Sequence, residues 1–208
     1  MLNDTDGLLR LIRETPINLE EREKQKQNYQ NPDVDSLTDG FATLFLNRVN
    51  FSGIIKGGPI GGLKQTGNYK IDCRFNREDI SRRIESIAQL KSKIRLYNKD
   101  AGYFIKMHLK KMKSPIFLNI DPPYVIKGSQ LYTNFFTEED HLNLKNVIVK
   151  HLDDIEYPWI ITYDACSLVR DLYKDFYMEE YNIMHNAGGS ALGKEIVITN
   201  ISSEEFIW

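Results

Sequence analysis

Apolar residues recur along the first fifty positions at intervals that line single helical faces. Leu8, Leu9, Leu11 and Ile12 form a cluster that Pro16 ends, and Ser36–Val49 carries Leu37, Phe41, Leu44, Phe45 and Val49 at amphipathic-helix spacing. Between them, Leu19–Gln30 is almost wholly polar and reads as a helix on the surface. Asn76, with Asp79 three residues on, predicts an N-cap opening a helix over Arg77–Lys91. The period then changes. A short strand is expected at Ile94–Asn98, a helix at Gly102–Met112 and an apolar strand at Pro115–Ile120. A helix capped by Thr137 runs to Lys150, Trp159–Tyr163 reads as a buried strand and Ser167–Tyr173 as helical, with Glu179–Met184 and Glu195–Ile201 a closing antiparallel pair. This alternation predicts an α/β fold with a mostly parallel sheet covered by helices. Two parts are expected: residues 1–92, helical with an inserted loop, and residues 93–208, the α/β segment.

The inserted loop, Phe51–Asn76, holds six of the thirteen glycines and few large apolar residues after Ile55. Such a segment predicts a long loop or irregular hairpin with little core of its own. Charge singles out the same stretch. The formal net charge is only −2, but Phe41–Arg77 carries six basic residues (Arg48, Lys56, Lys64, Lys70, Arg74 and Arg77) against one acidic residue, Asp72. A second basic run is Lys106, Lys110, Lys111 and Lys113. One basic face on a near-neutral chain suits phosphate contact, although a plain solvated surface reads the same way on charge alone.

Other features narrow the class. Cys73 and Cys166 lie far apart with no CxxC spacing, so neither a disulfide framework nor a zinc ribbon is expected, and a cytoplasmic location is the default. No stretch approaches the roughly 18 apolar residues of a membrane span. The four histidines show no metal-ligand spacing, and Gly188-Gly189-Ser190 reads as a hairpin turn.

The sharpest feature is Asp121-Pro122-Pro123-Tyr124, directly after the apolar strand that ends at Ile120. Ligands of open α/β sheets bind outside the carboxyl ends of strands. Two prolines stiffen the turn and remove two N–H donors, leaving carbonyl oxygens, one carboxylate and an aromatic ring. An acceptor-rich corner with a flat wall suits a planar substrate bearing an exocyclic amine. The Asp121 carboxylate and the Pro122 carbonyl can each accept one N–H, which localises the nitrogen lone pair, and Tyr124 offers a stacking face for a base turned out of a duplex.

On these residues the chain resembles the Dam-type DNA adenine methyltransferases, in the branch of phage and bacterial DNA adenine methylases. Asp121 to Tyr124 matches that family's catalytic tetrapeptide. Phe45-Leu46-Asn47-Arg48 followed by Gly53 looks like its Leu-Asn-Arg segment leading into a DNA-contacting loop. Asp100 matches the acidic position that contacts the cofactor's adenine, and Ile161–Asp164 and Lys194-Glu195 fall where later motifs fall. The resemblance implies a partial Rossmann-like methyltransferase sheet with a helical and glycine-rich DNA-recognition segment. The chemistry it implies is methyl transfer from S-adenosylmethionine to a flipped adenine in double-stranded DNA. Asn47, Arg48, Lys56, Lys64, Lys70, Arg74 and Lys127 are the expected DNA contacts. Asn50, Gln65, Asn68 and Arg74 are candidates for base edges, and Lys127, Tyr132 and Asn134 for closure over the base. Methylases of RNA guanine and protein glutamine use a related turn that usually begins with Asn, so Asp121 favours adenine.

The chain departs from the family in one respect. Members open with a strand and a Phe-x-Gly-x-Gly turn that holds the methionine end of the cofactor, and neither is found here. The expectation is therefore a split or truncated enzyme completed by a partner chain or homo-oligomer, the alternative being a non-catalytic DNA-binding or scaffold subunit.

Overall fold

The computed structural model describes residues 1–112, 115–126, 136–152, 157–185 and 191–202. It divides into two compact units, Met1–Leu96 and Tyr97–Trp208.

The first unit is built on four capped helices: α1 (Thr5–Glu14), α2 (Leu19–Gln30), α3 (Ser36–Val49) and α4 (Arg77–Gln89). Each opens on a side chain that accepts an otherwise unpaired backbone N–H: Asp4 from Gly7, Asn18 from Glu21, Asp35 from Leu37 and Thr38, and Asn76 from Asp79. Leu8, Leu9 and Ile12 of α1 meet Phe41, Phe45 and Val49 of α3 and Ile80 and Ile84 of α4 in one core. Arg77 donates to the carbonyls of Ile12 and Thr15, closing the C-terminal end of α1 with a cation. The surface reading of α2 needs correction, because Arg22 and Gln25 are buried. So does the expectation for Phe51–Asn76. The segment is irregular, held by turns and a single bridge between Asn50 and Pro59, yet it contributes Ile60, Ile71 and Phe75 to the interior.

The second unit is a four-stranded mixed sheet with helices. Its elements are α5 (Ala101–Met107), β1 (Leu118–Ile120), α6 (Glu138–Leu152), β2 (Trp159–Asp164), α7 (Ser167–Leu172), β3 (Tyr177–His185) and β4 (Ala191–Thr199). The strand order is β1-β2-β4-β3. Only β1 and β2 are parallel; β4 pairs antiparallel with both β2 and β3. The expected mostly parallel sheet is thus mixed among the described residues, because the closing hairpin sends β4 back between β2 and β3. Ile105, Leu144, Ile148, Trp159, Ile161, Tyr163, Val169, Ile196 and Ile198 form the core beneath the helices.

The strand expected at Ile94–Asn98 is absent from the described structure. An isolated extended segment has no ladder partner to satisfy its backbone. Leu96 is exposed, and Tyr97 packs its ring on Phe104 and His108. The helix expected at Gly102–Met112 is shorter, with a 3-10 turn at Leu109–Lys111 after it. Thr137 caps α6 as expected: its hydroxyl accepts from the Asp140 N–H while Asp140 accepts from the Thr137 N–H. Lys113, Lys127, Tyr132, Asn134 and the Gly188-Gly189 turn lie outside the described residues.

Buried in α6, His141 has Nδ1 2.9 Å from the Tyr163 hydroxyl, and its Nε2 has no hydrogen-bond partner among the described residues. Burial lowers its pKa from the ordinary 6.5, against the opposing pull of the Asp164 and Asp140 carboxylates. Because the folded pKa lies below the unfolded one, the unfolded chain binds the proton more readily. Stability attributable to this group is complete above pH 6.5 and declines as pH falls through it. Melting His141→Gln and the parent between pH 7.5 and 5 should show a shallower acid loss for the variant; equal slopes would refute this account.

Candidate active site

The tetrapeptide follows β1 immediately, so Asp121 stands at the carboxyl end of one parallel strand and beside that of the next. Register places Ile120 against Ile161. The Thr162 hydroxyl, one residue further along β2, donates to Asp121 Oδ1 at 3.3 Å. The Asp121 residue is exposed, Pro122 is buried, and Pro123 and Tyr124 are half-buried. The corner therefore sits on packed proline with its carboxylate toward solvent.

Two acidic residues that the sequence reading left at low weight hold this corner. Asp164, the last residue of β2, is 6% exposed and accepts the N–H groups of Val125 at 2.9 Å and Ile126 at 2.6 Å. These two N–H groups follow Tyr124 in the turn, and one carboxylate satisfies both. Glu195 of β4, also 6% exposed, pairs in register with Asp164 on one side and Tyr181 on the other. Directly paired residues project from one face of a sheet. The Tyr181 hydroxyl donates to Glu195 Oε2 at 2.8 Å. Burial, then Glu195, pushes the Tyr181 pKa up to about 12. Burial raises the Tyr124 pKa well above the ordinary phenol value, followed by the Glu195 carboxylate within hydrogen-bonding reach and by Asp121. Tyr124 is thus a neutral phenol throughout the physiological range. The strand-end position of Asp164 and the place of Glu195 beside Lys194 were the available sequence signals; their partners were not legible.

Asp100 does not follow a strand. It is the N-cap of α5, with Oδ1 accepting the Tyr103 N–H at 2.8 Å. It also lines a cavity of about 530 Å³ with Gly102, Phe136, Asn143, Val147 and Lys150. That volume is within the range of small-molecule sites, and a mixed aromatic, amide and carboxylate lining could hold a nucleoside. Among the described residues no cluster of His, Cys, Asp or Glu could hold a metal ion.

In the first unit the expected DNA contacts separate into two groups. Lys56, Lys64 and Arg74 are exposed and make no ion pair among the described residues. Arg48 instead donates to the Arg74 carbonyl, and Lys70 to those of Gln65 and Gly67. Asn47 is exposed with Nδ2 on the Gly53 carbonyl. Two base-edge candidates are corrected. Asn50 is fully buried, bonded to Arg22, Ile54 and Ile55. Gln65 ties Ile60, Gly62 and Ile71 together. Both stabilise the loop from inside. The sequence reading also passed over Phe51 and Tyr69, which are 59% and 73% exposed. With Ile60, Cys73 and Arg74 they line an apolar cavity of about 370 Å³. Aromatic residues in a basic, glycine-rich segment, with no regular face to bury them, were the signal.

The second unit thus combines a mixed sheet, an acceptor-rich proline corner at the end of a parallel strand and a cavity of nucleoside size. The family model for the D12 class N6 adenine-specific DNA methyltransferases matches residues 9–187, and the chain belongs to that family. Its members are methyltransferases acting on DNA adenine. A search of curated proteins gives no match. No helix among the described residues is long and apolar enough to cross a membrane.

Replacing Asp164 by Ala removes the acceptor for two N–H groups and should cost roughly 1.5–3 kcal/mol per bond to a charged group. Amide exchange at Val125 and Ile126 should accelerate selectively, while Asp164→Asn, which keeps one acceptor oxygen, should retain part of the protection. Unchanged exchange in both variants would refute the assignment.

Proposed function

We propose that this chain is the catalytic and DNA-reading part of an enzyme that methylates the exocyclic amine of adenine in double-stranded DNA, acting on a base rotated out of the helix. The observation that carries the reading is the Asp121–Tyr124 corner, exposed at its carboxylate and braced at its backbone. Asp121 and the Pro122 carbonyl accept the two amine hydrogens. Tyr124, held neutral, presents its ring to the base. A carboxylate and carbonyl oxygens suit a neutral N–H donor better than a phosphate, and the basic first unit is the better match for the DNA backbone. There Lys56, Lys64 and Arg74 meet phosphates, with Asn47 a further contact. Arg48 and Lys70 keep spare N–H donors after their internal bonds. Lys127, by its position just after the tetrapeptide, is a further candidate for closing over the base.

S-adenosylmethionine, when bound, supplies the electrophilic methyl group. The Asp100 cavity fits its adenosine end. Phe136 provides an aromatic wall, and Asp100 Oδ2 is available to accept the adenine amine, since its hydrogen bond to Tyr103 uses Oδ1. No residue of this chain is assigned to the methionine end. β1 pairs only with β2 among the described residues. An open edge of this kind supports completion of a larger Rossmann-like sheet by a partner chain or a second copy. A cytoplasmic setting suits the free thiols at Cys73 and Cys166.

Incubating the chain with labelled S-adenosylmethionine and adenine-unmethylated genomic DNA, alone and with any co-encoded neighbour, should yield N6-methyladenine by mass spectrometry. Asp121→Ala should lower the rate by about 10²-fold or more, the usual loss on removing an oriented transition-state hydrogen bond. Methylation that survives this substitution would overturn the assigned chemistry. DNA binding with no transfer in any combination would instead favour a non-catalytic scaffold.

A further inference from the structure

The tip of the glycine-rich segment is held by a buried cation on α2. Arg22 is 8% exposed, with Nε donating to Asn50 Oδ1 at 2.7 Å and Nη2 to the Gly57 carbonyl at 2.7 Å. Asn50, fully buried, passes the constraint on through Nδ2 to the carbonyls of Ile54 at 3.0 Å and Ile55 at 2.8 Å. Backbone bonds from Phe51 to Gly58 and from Ile60 to Val49 close the same turn. A side chain at Gly57 would bring its Cβ to 2.9 Å from the Ile54 carbonyl, and Gly53 sits at φ 74°; the turn is wound too tightly for other residues at either place.

Arg22 makes no ion pair among the described residues. A guanidinium removed from water and met only by neutral acceptors is a costly way to gain stability, but its rigid fork can fix two points of a chain at once. The two points here flank Lys56, and the turn they fix carries the exposed Phe51 and Ile54.

We infer that Arg22, acting through Asn50 and Gly57, is a positioning residue for DNA recognition: it presents the Phe51–Lys56 tip in its binding shape and does not itself touch phosphate. This rests on the reading of the segment as DNA-contacting. If loss of the clasp drops the population of the binding shape to about a tenth, the apparent Kd rises about tenfold.

The test uses the full chain, duplex DNA and three variants. Arg22→Gln should weaken binding about tenfold at constant salt slope. Lys56→Ala should reduce the slope of log K against log salt by about 1. Asn50→Asp keeps an acceptor for Arg22 but has no N–H for Ile54 and Ile55, and should behave like Arg22→Gln even if the latter folds poorly. Amide exchange over residues 51–58, measured without DNA, should accelerate in both clasp variants. Unchanged exchange there would overturn the clasp, and a slope reduced by about 1 in Arg22→Gln would make Arg22 a direct phosphate contact. Should neither the parent nor Lys56→Ala bind DNA, the DNA reading of the segment falls, while exchange still decides the clasp.

Discussion

Irregular backbone can persist at a protein surface only if its N–H and C=O groups find partners, and the Asp121–Ile126 corner meets that requirement through one carboxylate. After two prolines without donors, the N–H groups of Val125 and Ile126 both point to Asp164. Asp164 terminates β2, whose far end is fastened by Asn200, accepting from the Trp159 N–H and donating to the Tyr157 carbonyl. The corner is therefore tied at its backbone to the strand behind it.

The same logic operates in the first unit with different chemistry. Neutral amides, Asn50 and Gln65, and the cation Arg22 pin a segment whose regular structure is limited to a 3-10 turn at Phe51–Gly53. The two solutions differ in charge. The second unit gathers carboxylates and neutral phenols at its strand ends, Asp121, Asp164, Glu195, Tyr124 and Tyr181. The first leaves Lys56, Lys64 and Arg74 exposed on a scaffold tied down from within. A net charge of −2 conceals this division.

Tyr124 illustrates how neighbouring groups set a side chain's behaviour. Burial and the Glu195 carboxylate both oppose loss of its proton, so the ring remains an uncharged aromatic surface across the physiological range. Tyr181, sharing Glu195, is biased the same way. The Tyr181 hydroxyl engages Glu195, while Asp121 keeps an exposed carboxylate whose Oδ1 takes the Thr162 hydroxyl.

Local order was legible along the chain. Helix caps at Asn76 and Thr137, the apolar faces of α1 and α3, the closing hairpin and the Asp121–Tyr124 turn all follow from nearest-neighbour chemistry, which repeats within one or two turns of chain. What depended on distant contacts was not. Ile94–Asn98 has strand composition but no ladder partner among the described residues, so it forms no strand there. The antiparallel placement of β4 between β2 and β3 could not be read from apolar runs, because those runs carry no direction. Whether Asn50, Arg48 and Gln65 face DNA or the loop's interior was likewise a tertiary decision: the same amide or guanidinium serves either, and only the fold brings Arg22 to Asn50 across 28 residues or Asp164 to Val125 across 39. Sequence determined which groups are present and how the chain curls locally; long-range packing determined which of them are left free to act.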